Sequence, residues 1–396
     1  MRFTVSLRKV GNFRPKKGDF TVKTKIIAYF LPQYHRIREN DEWWGEGFTE
    51  WTNLKKAKPL FEGHNQPLIP LNDNYYDLMD MDSVRWQTDL CQKYKIYGFA
   101  YYHYWFEGKM LLEKPAENLL RDTDIQQRFF FLWANHTWYK AENGRKSVLR
   151  EQTYGDETDW IDHYNYMHKF FLDARYIKVK NCPVIGIYIP NDIPEYDCMI
   201  DKWNELARRD GFDGLHVIES INSKDKKTRS DKSNASVIRQ PNISIQKYRM
   251  PQNPINRIFF NIIRRIKVKF FHKKMFFKYD FQRIMQYEAQ ERTSSYRREN
   301  EKIYYGISTG WDNTPRHGKR GAVMINKSVE TFKKTFEELY KKSILENNEF
   351  IFINAWNEWA EGMYLEPDME NGYAYLEAIR DTYNAYNDME DNDDSI

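Results

Sequence analysis

Apolar positions in this chain fall into short dense runs, separated by stretches in which they recur every third or fourth residue. Eight runs rich in β-branched and aromatic residues predict strands at 25–31, 96–102, 128–134, 183–189, 215–220, 235–239, 302–308 and 349–355. Most are apolar throughout rather than alternating, the pattern of parallel strands covered on both faces. Helical spacing occupies 77–94, 156–175, 196–209, 326–345 and 371–386. In the first of these, Leu78, Met81, Trp86, Leu90 and Tyr94 share roughly one face. Strand and helix in alternation predict an α/β fold, and right-handed crossovers close it into a (β/α)₈ TIM-type barrel. A chain of 396 residues suits such a barrel with loop insertions.

Two connections are too long for plain turns. Residues 35–76 follow strand one and are rich in Trp, Gly, Asn and Pro; residues 243–300 follow strand six. The expected organisation is a basic extension over 1–24, a barrel domain over 25–387 with an insertion at 243–300, and an acidic disordered tail over 388–396.

Charge sharpens this division. The net charge is only +4, yet residues 1–24 carry seven Lys/Arg against one Asp, and residues 243–300 carry fourteen against four acids. The body of the chain is therefore acidic. Within 255–283, nine Lys/Arg interleave with Ile and Phe beside the single acid Asp280. That composition suits an amphipathic insert with a solvated basic face, or peripheral contact with an anionic membrane. No nucleic-acid motif accompanies it, and no nucleic-acid partner is expected. Three cysteines without CxxC spacing argue against a disulfide framework. The N-terminus shows no apolar signal core, so a cytoplasmic location, with the inner membrane face as an option, is expected. Neither GxGxxG nor a P-loop occurs, and no cofactor is expected.

In a barrel of this kind, chemistry sits at the C-terminal ends of the strands. Nine of the twelve tryptophans fall at those ends or in the first long loop. Indole faces beside amides, imidazoles and carboxylates suit sugar rings; packing that plugs the barrel mouth is the plainer alternative. Candidate sugar contacts are His35, Trp44, His103, Trp105, Trp133, Asn135, His136, Trp311, Asp312, Asn313, Trp356 and Asn357. Asp312 and Asn313, within WDNTPR, fit an Asx-type turn equally well. His35, His103 and His136 suit hydrogen bonds to hydroxyls; a structural role or an open zinc site are alternatives, and no HxH or HExxH spacing specifies a metal. The sharpest local feature is Glu358-x-x-Glu361 in NEWAEG. In a turn just past a strand, such a pair lies about 5–6 Å apart between Cβ atoms. Two carboxyls that close serve glycosyl chemistry with retained configuration; a polar rim paired with Arg or Lys is the alternative.

AYFLPQYH, DEWWGEGFTEWTNLKKAKPLFEGHNQP, GFAYYHYWF, FLWANHTW, WDNTPR and NAWNEWAEG together resemble the WbsX family, which is similar to the glycoside hydrolase family 99 barrels. The likeness runs from about residue 25 to about residue 380. It implies a barrel enzyme acting on an oligosaccharide or polysaccharide, lipid-linked in one version, in bacterial O-antigen or capsule assembly. A retaining endo-α-mannosidase-like hydrolase and a non-catalytic glycan-binding barrel are the alternatives. It further implies that Glu358 deprotonates a sugar 2-hydroxyl, which attacks C1, while Glu361 serves as acid and base at the leaving and entering oxygens. Ala360 stands where the hydrolases often place a histidine, which puts the surroundings of the pair in question.

Overall fold

The computed structural model describes residues 23–142, 145–223, 230–249, 277–296 and 301–387. The expectations for the basic extension, for most of the 255–283 segment and for the acidic tail fall outside the described residues.

Nine parallel strands form the wall: β1 (Lys25–Phe30), β2 (Gly98–Phe106), β3 (Phe129–Trp133), β4 (Cys182–Ile187), β5 (His216–Ile221), β6 (Ala235–Ile238), β7 (Lys302–Tyr304), β8 (Gly306–Ser308) and β9 (Phe350–Asn354). Their order is β7-β6-β5-β4-β3-β2-β1-β9-β8, a nearly closed barrel. The register opposes Ala28 to Phe99 on one side and to Ile353 on the other. β7 and β8 are the two halves of the run expected as one strand at 302–308. β7 pairs with β6 and β8 pairs with β9, so the chain changes neighbour at Tyr305 and completes the circuit. Gly306 permits that switch, because a Cβ there would run into the Ile238 carbonyl oxygen.

The apolar runs are covered on both faces, as their composition requires; FFFLW of β3 is buried along its whole length. Phe30 stacks on Phe99 and Tyr101 with ring centres 4.9 and 4.2 Å apart. Outside the wall lie α3 (Met81–Lys93), α5 (Glu157–Phe171), α6 (Tyr196–Arg209), α9 (Val329–Leu345) and α10 (Ala374–Asn387), close to the helices expected from spacing. Side chains of Asp80, Asp156 and Ser328 cap the first, second and fourth of these by accepting from first-turn N–H groups.

Shorter helices are not among those expected from the sequence: α1 (Arg38–Trp44), α2 (Glu50–Lys56), α4 (Lys114–Arg121), α7 (Asn242–Arg249) and α8 (Phe281–Ala289). The last two belong to the 243–300 connection and are packed into the fold. Glu288 of α8 receives hydrogen bonds from Ser308 N–H at 2.9 Å and Ser308 Oγ at 2.6 Å. The described end of the basic segment, Phe277–Asp280, pairs in parallel with Ala322–Ile325. Among the described residues, no helix is long and apolar enough to cross a membrane.

Candidate active site

A cleft of about 1220 Å³ opens at the C-terminal ends of the strands. Leu31 and Gln33 after β1, Tyr102 and Tyr104 of β2, Ala134 and His136 after β3, and Tyr188 after β4 line it. Arg239 after β6, Asn313 and Arg316 after β8, and Glu358 and Glu361 after β9 complete the floor. Trp44 and Glu50 come from the first long connection, and Trp138 and Tyr139 from a hairpin of Trp138–Glu142 with Arg145–Arg150. A second cavity, of about 600 Å³, lies at the opposite strand ends around Lys25, Tyr97 and Arg128, and among the described residues no carboxylate lines it.

The two glutamates meet because the chain turns sharply after β9. Asn357–Glu358 pairs antiparallel with Met363–Tyr364, and Trp359–Glu361 forms a single 3₁₀ turn between them. Gly362 ends that turn at φ 60°, where a side chain would also come within 2.8 Å of the Asp312 Cβ. Asp312 N–H donates to the Glu361 carbonyl at 2.6 Å and ties the turn to the segment after β8.

Arg316 binds the acids together. It donates to Glu361 at 2.5 Å, to Glu358 at 3.4 Å, and to Glu50 from Nε at 2.9 Å and from Nη2 at 2.5 Å. Burial pushes the Glu358 carboxyl up to about 8, and Glu361 adds to the rise while Arg316 opposes it. Glu361 is the more open of the two, with 22% of its side chain exposed against 9% for Glu358.

Of the residues expected from sequence, Trp44, His136, Asn313, Glu358 and Glu361 line the cleft. Burial, aided by Arg239, drives His136 down to about 4, so it is neutral at physiological pH. Nine expected sugar contacts do not line it, and their hydrogen-bonding or packing capacity is used elsewhere. Asn357 accepts from Leu31 N–H at 2.8 Å and donates back to the Leu31 carbonyl, joining the ends of β1 and β9. Asn135 makes the same two-way bond with Ile189. Asp312 accepts from His64, Gln66, Thr314 N–H and Thr314 Oγ, which is the Asx-turn reading with a loop clamp added. Trp133 donates to the Trp105 carbonyl and Trp105 to Asp159, both indoles being buried. Trp356 is wholly buried against Phe99, and Trp311 packs partly buried on the core. His103 pairs with His163 at 2.9 Å and is driven down to about 3 by burial; His35 donates to the Pro32 carbonyl. His35 and His103 thus have separate partners while His136 lines the cleft, and among the described residues no cluster of three or more His, Cys, Asp or Glu is placed to hold a metal ion.

Arg316, Glu50, Arg239 and the cleft tyrosines Tyr102, Tyr104 and Tyr188 escape the sequence reading. Arg316 ends the WDNTPR motif and was legible there. The tyrosines are four of every ten aromatic rings or more, so their number hides those that matter.

The family profile described as Glycosyltransferase WbsX matches residues 26–379. Two curated relatives from Xanthomonas campestris pv. campestris, from strain B100 and strain ATCC 33913, are both named "Uncharacterized protein WxcX". Each is 32% identical over 91% of this chain, and the chain spans about half the length of these relatives. Among solved structures, a "Glycoside hydrolase-like protein" superposes with TM-score 0.55 at 12% identity, covering 94% of this chain and 97% of its own. The GH99 endo-α-mannosidase from Bacteroides thetaiotaomicron superposes with TM-score 0.53 at 13% identity, covering 93% of this chain and 99% of its own. At such identity the structures speak for the fold, a barrel like that of the family 99 enzymes. The profile match across the whole barrel places this chain in the glycosyltransferase WbsX family.

Proposed function

We propose that this chain remakes or breaks a glycosidic bond in an oligosaccharide lying along the cleft, with Glu358 and Glu361 as the acting carboxyls. The observation that carries this reading is that both carboxyls line one open cleft at the strand ends, near enough to each other to share the Arg316 guanidinium. Glu358 takes the proton of the sugar 2-hydroxyl as that oxygen bonds to C1. Glu361 gives a proton to the departing oxygen as the C1–O bond breaks. In the return step Glu361 takes the acceptor's proton as the acceptor oxygen bonds to C1, the C1–O2 bond breaks, and the freed 2-oxygen recovers its proton from Glu358. The raised Glu358 carboxyl supports its role, since a carboxylate of higher pKa is a stronger base once ionised. The family's description as a glycosyltransferase supports glycosyl transfer, and the setting we propose for it is bacterial O-antigen or capsule assembly. Hydrolysis is the second reading, favoured by the exposure of Glu361, which lets water reach the acceptor position.

Incubation with O-antigen or capsular oligosaccharides in ¹⁸O-water, followed by mass spectrometry, separates the two. Hydrolysis places ¹⁸O at a new reducing end, and transfer yields an extended product without it. Either activity should fall by roughly 10²–10⁴ in Glu358→Gln and in Glu361→Gln. Full activity in both variants would falsify the assignment; binding without turnover in the wild type would leave a lectin-like barrel.

A further inference from the structure

Arg239 follows β6 at the floor of the cleft and is 8% exposed. Its guanidinium sits among phenol rings, with Tyr29 and Tyr188 centred 4.5 Å away and Tyr102 at 5.6 Å. Nη2 donates to the Tyr102 hydroxyl at 2.5 Å. Nη1 is buried and has no hydrogen-bond partner among the described residues. Arg316, a partly buried cation of the cleft, shows what is missing: it contacts three carboxylates, whereas Arg239 has none within ion-pairing distance among the described residues.

Phenol faces ease the burial of a cation, but they do not fill the N–H donors in its plane. A sugar hydroxyl would accept one of those bonds and leave the charge unmatched. A carboxylate or phosphate accepts them and matches the charge, and a guanidinium binds either with two parallel bonds. We infer that Arg239 is a specificity-determining residue that receives an acidic substituent of the glycan, the carboxylate of a hexuronic acid or a phosphate ester. This rests on the glycan reading above and narrows its substrate class.

The wild-type chain can be titrated by NMR with D-glucuronate, D-galacturonate, D-mannuronate and glucose 6-phosphate, and with glucose, galactose, mannose and glucuronamide as neutral counterparts. At least one acidic sugar should bind tenfold or more tightly than its neutral counterpart. Preference for a uronate assigns a carboxylate, and preference for the phosphate ester assigns a phosphate. Arg239→Gln should bring the acidic and neutral sugars to within about threefold of each other, and Arg239→Lys should retain part of the preference. No preference in the wild type, a measurement that needs no folded variant, overturns the inference. So does a preference that survives in folded Arg239→Gln. Binding is read here without turnover. Acid-sugar preference in a protein that never turns over supports this inference and counts against the proposed reaction, whereas turnover of neutral glycans without any preference does the reverse.

Discussion

Burial and a neighbouring carboxyl both disfavour the charged form of Glu358, so at neutral pH the free protein holds it largely protonated. As a base it must first release that proton. The rate constant kcat/KM should therefore rise with pH and level off above about 8. A profile that instead falls through that value would hand Glu358 the proton-donor role, and pH-rate measurements on the wild type decide between them. Arg316 matters in another way. It is the cation beside Glu50, whose side chain is only 2% exposed. Arg316→Met removes that cation and strands a buried carboxylate, with an expected loss of about 3–5 kcal/mol in chemical denaturation. Arg316→Lys keeps a charge but cannot fork between three acids, so it should recover only part of the loss. NEWAEG reveals the glutamate pair because its spacing is local. Glu50 lies 266 positions from Arg316, and no local pattern announces that contact.

The connections decide how much of the barrel mouth is cleft and how much is packing. The first long connection is held down by Asp312, which accepts from His64 Nε2 at 2.9 Å and Gln66 Nε2 at 2.6 Å. Asp312→Ala leaves both donors buried without that partner, and each such group costs about 1–3 kcal/mol. The expected outcome is a lower melting temperature with early proteolytic cutting inside 57–76, which limited proteolysis would detect; cleavage unchanged from wild type would refute the clamp. Helices α1 and α2 each have seven residues, too few for a convincing apolar stripe. Strands were easier to read, since a barrel stave needs an unbroken apolar run on both sides. The exception is instructive: 302–308 reads as one strand, and only the approach of Gly306 to the Ile238 carbonyl shows why it divides.

At the scale of the whole molecule, stability should respond to pH from both sides. Burial raises Glu358 and Glu288 to about 8 and Glu366 to about 7. Above the ordinary carboxyl range the unfolded chain releases these protons while the native one keeps them. Each group then costs about 1.4 kcal/mol per pH unit until its own native value is passed. Burial lowers His103 to about 3 and His136 and His216 to about 4. Below the ordinary histidine value the unfolded chain takes up protons that the native one refuses, so stability falls with acid. His35 and His163 are lowered as well and add to that acid side. Melting temperature should peak at roughly pH 6 and fall toward pH 8 and toward pH 4, by calorimetry across that range. Steady stability from pH 6 to 8 would contradict the raised carboxyls. The amino-acid order alone settles the alternation of buried strand and amphipathic helix, and hence the barrel, because those patterns depend on neighbours a few residues away. It also settles where the paired glutamates lie along the chain. It does not settle which of the many aromatic and polar groups at the strand ends face open space. Asn135, Asn357 and Asp312 have the right chemistry for sugars, yet each is consumed in joining one strand end or loop to another. Arg239 stands in no motif at all, and acquires its significance from three phenols contributed by β1, β2 and the segment after β4. Burial and partnership arise between residues hundreds of positions apart, so they exist only once the barrel has closed.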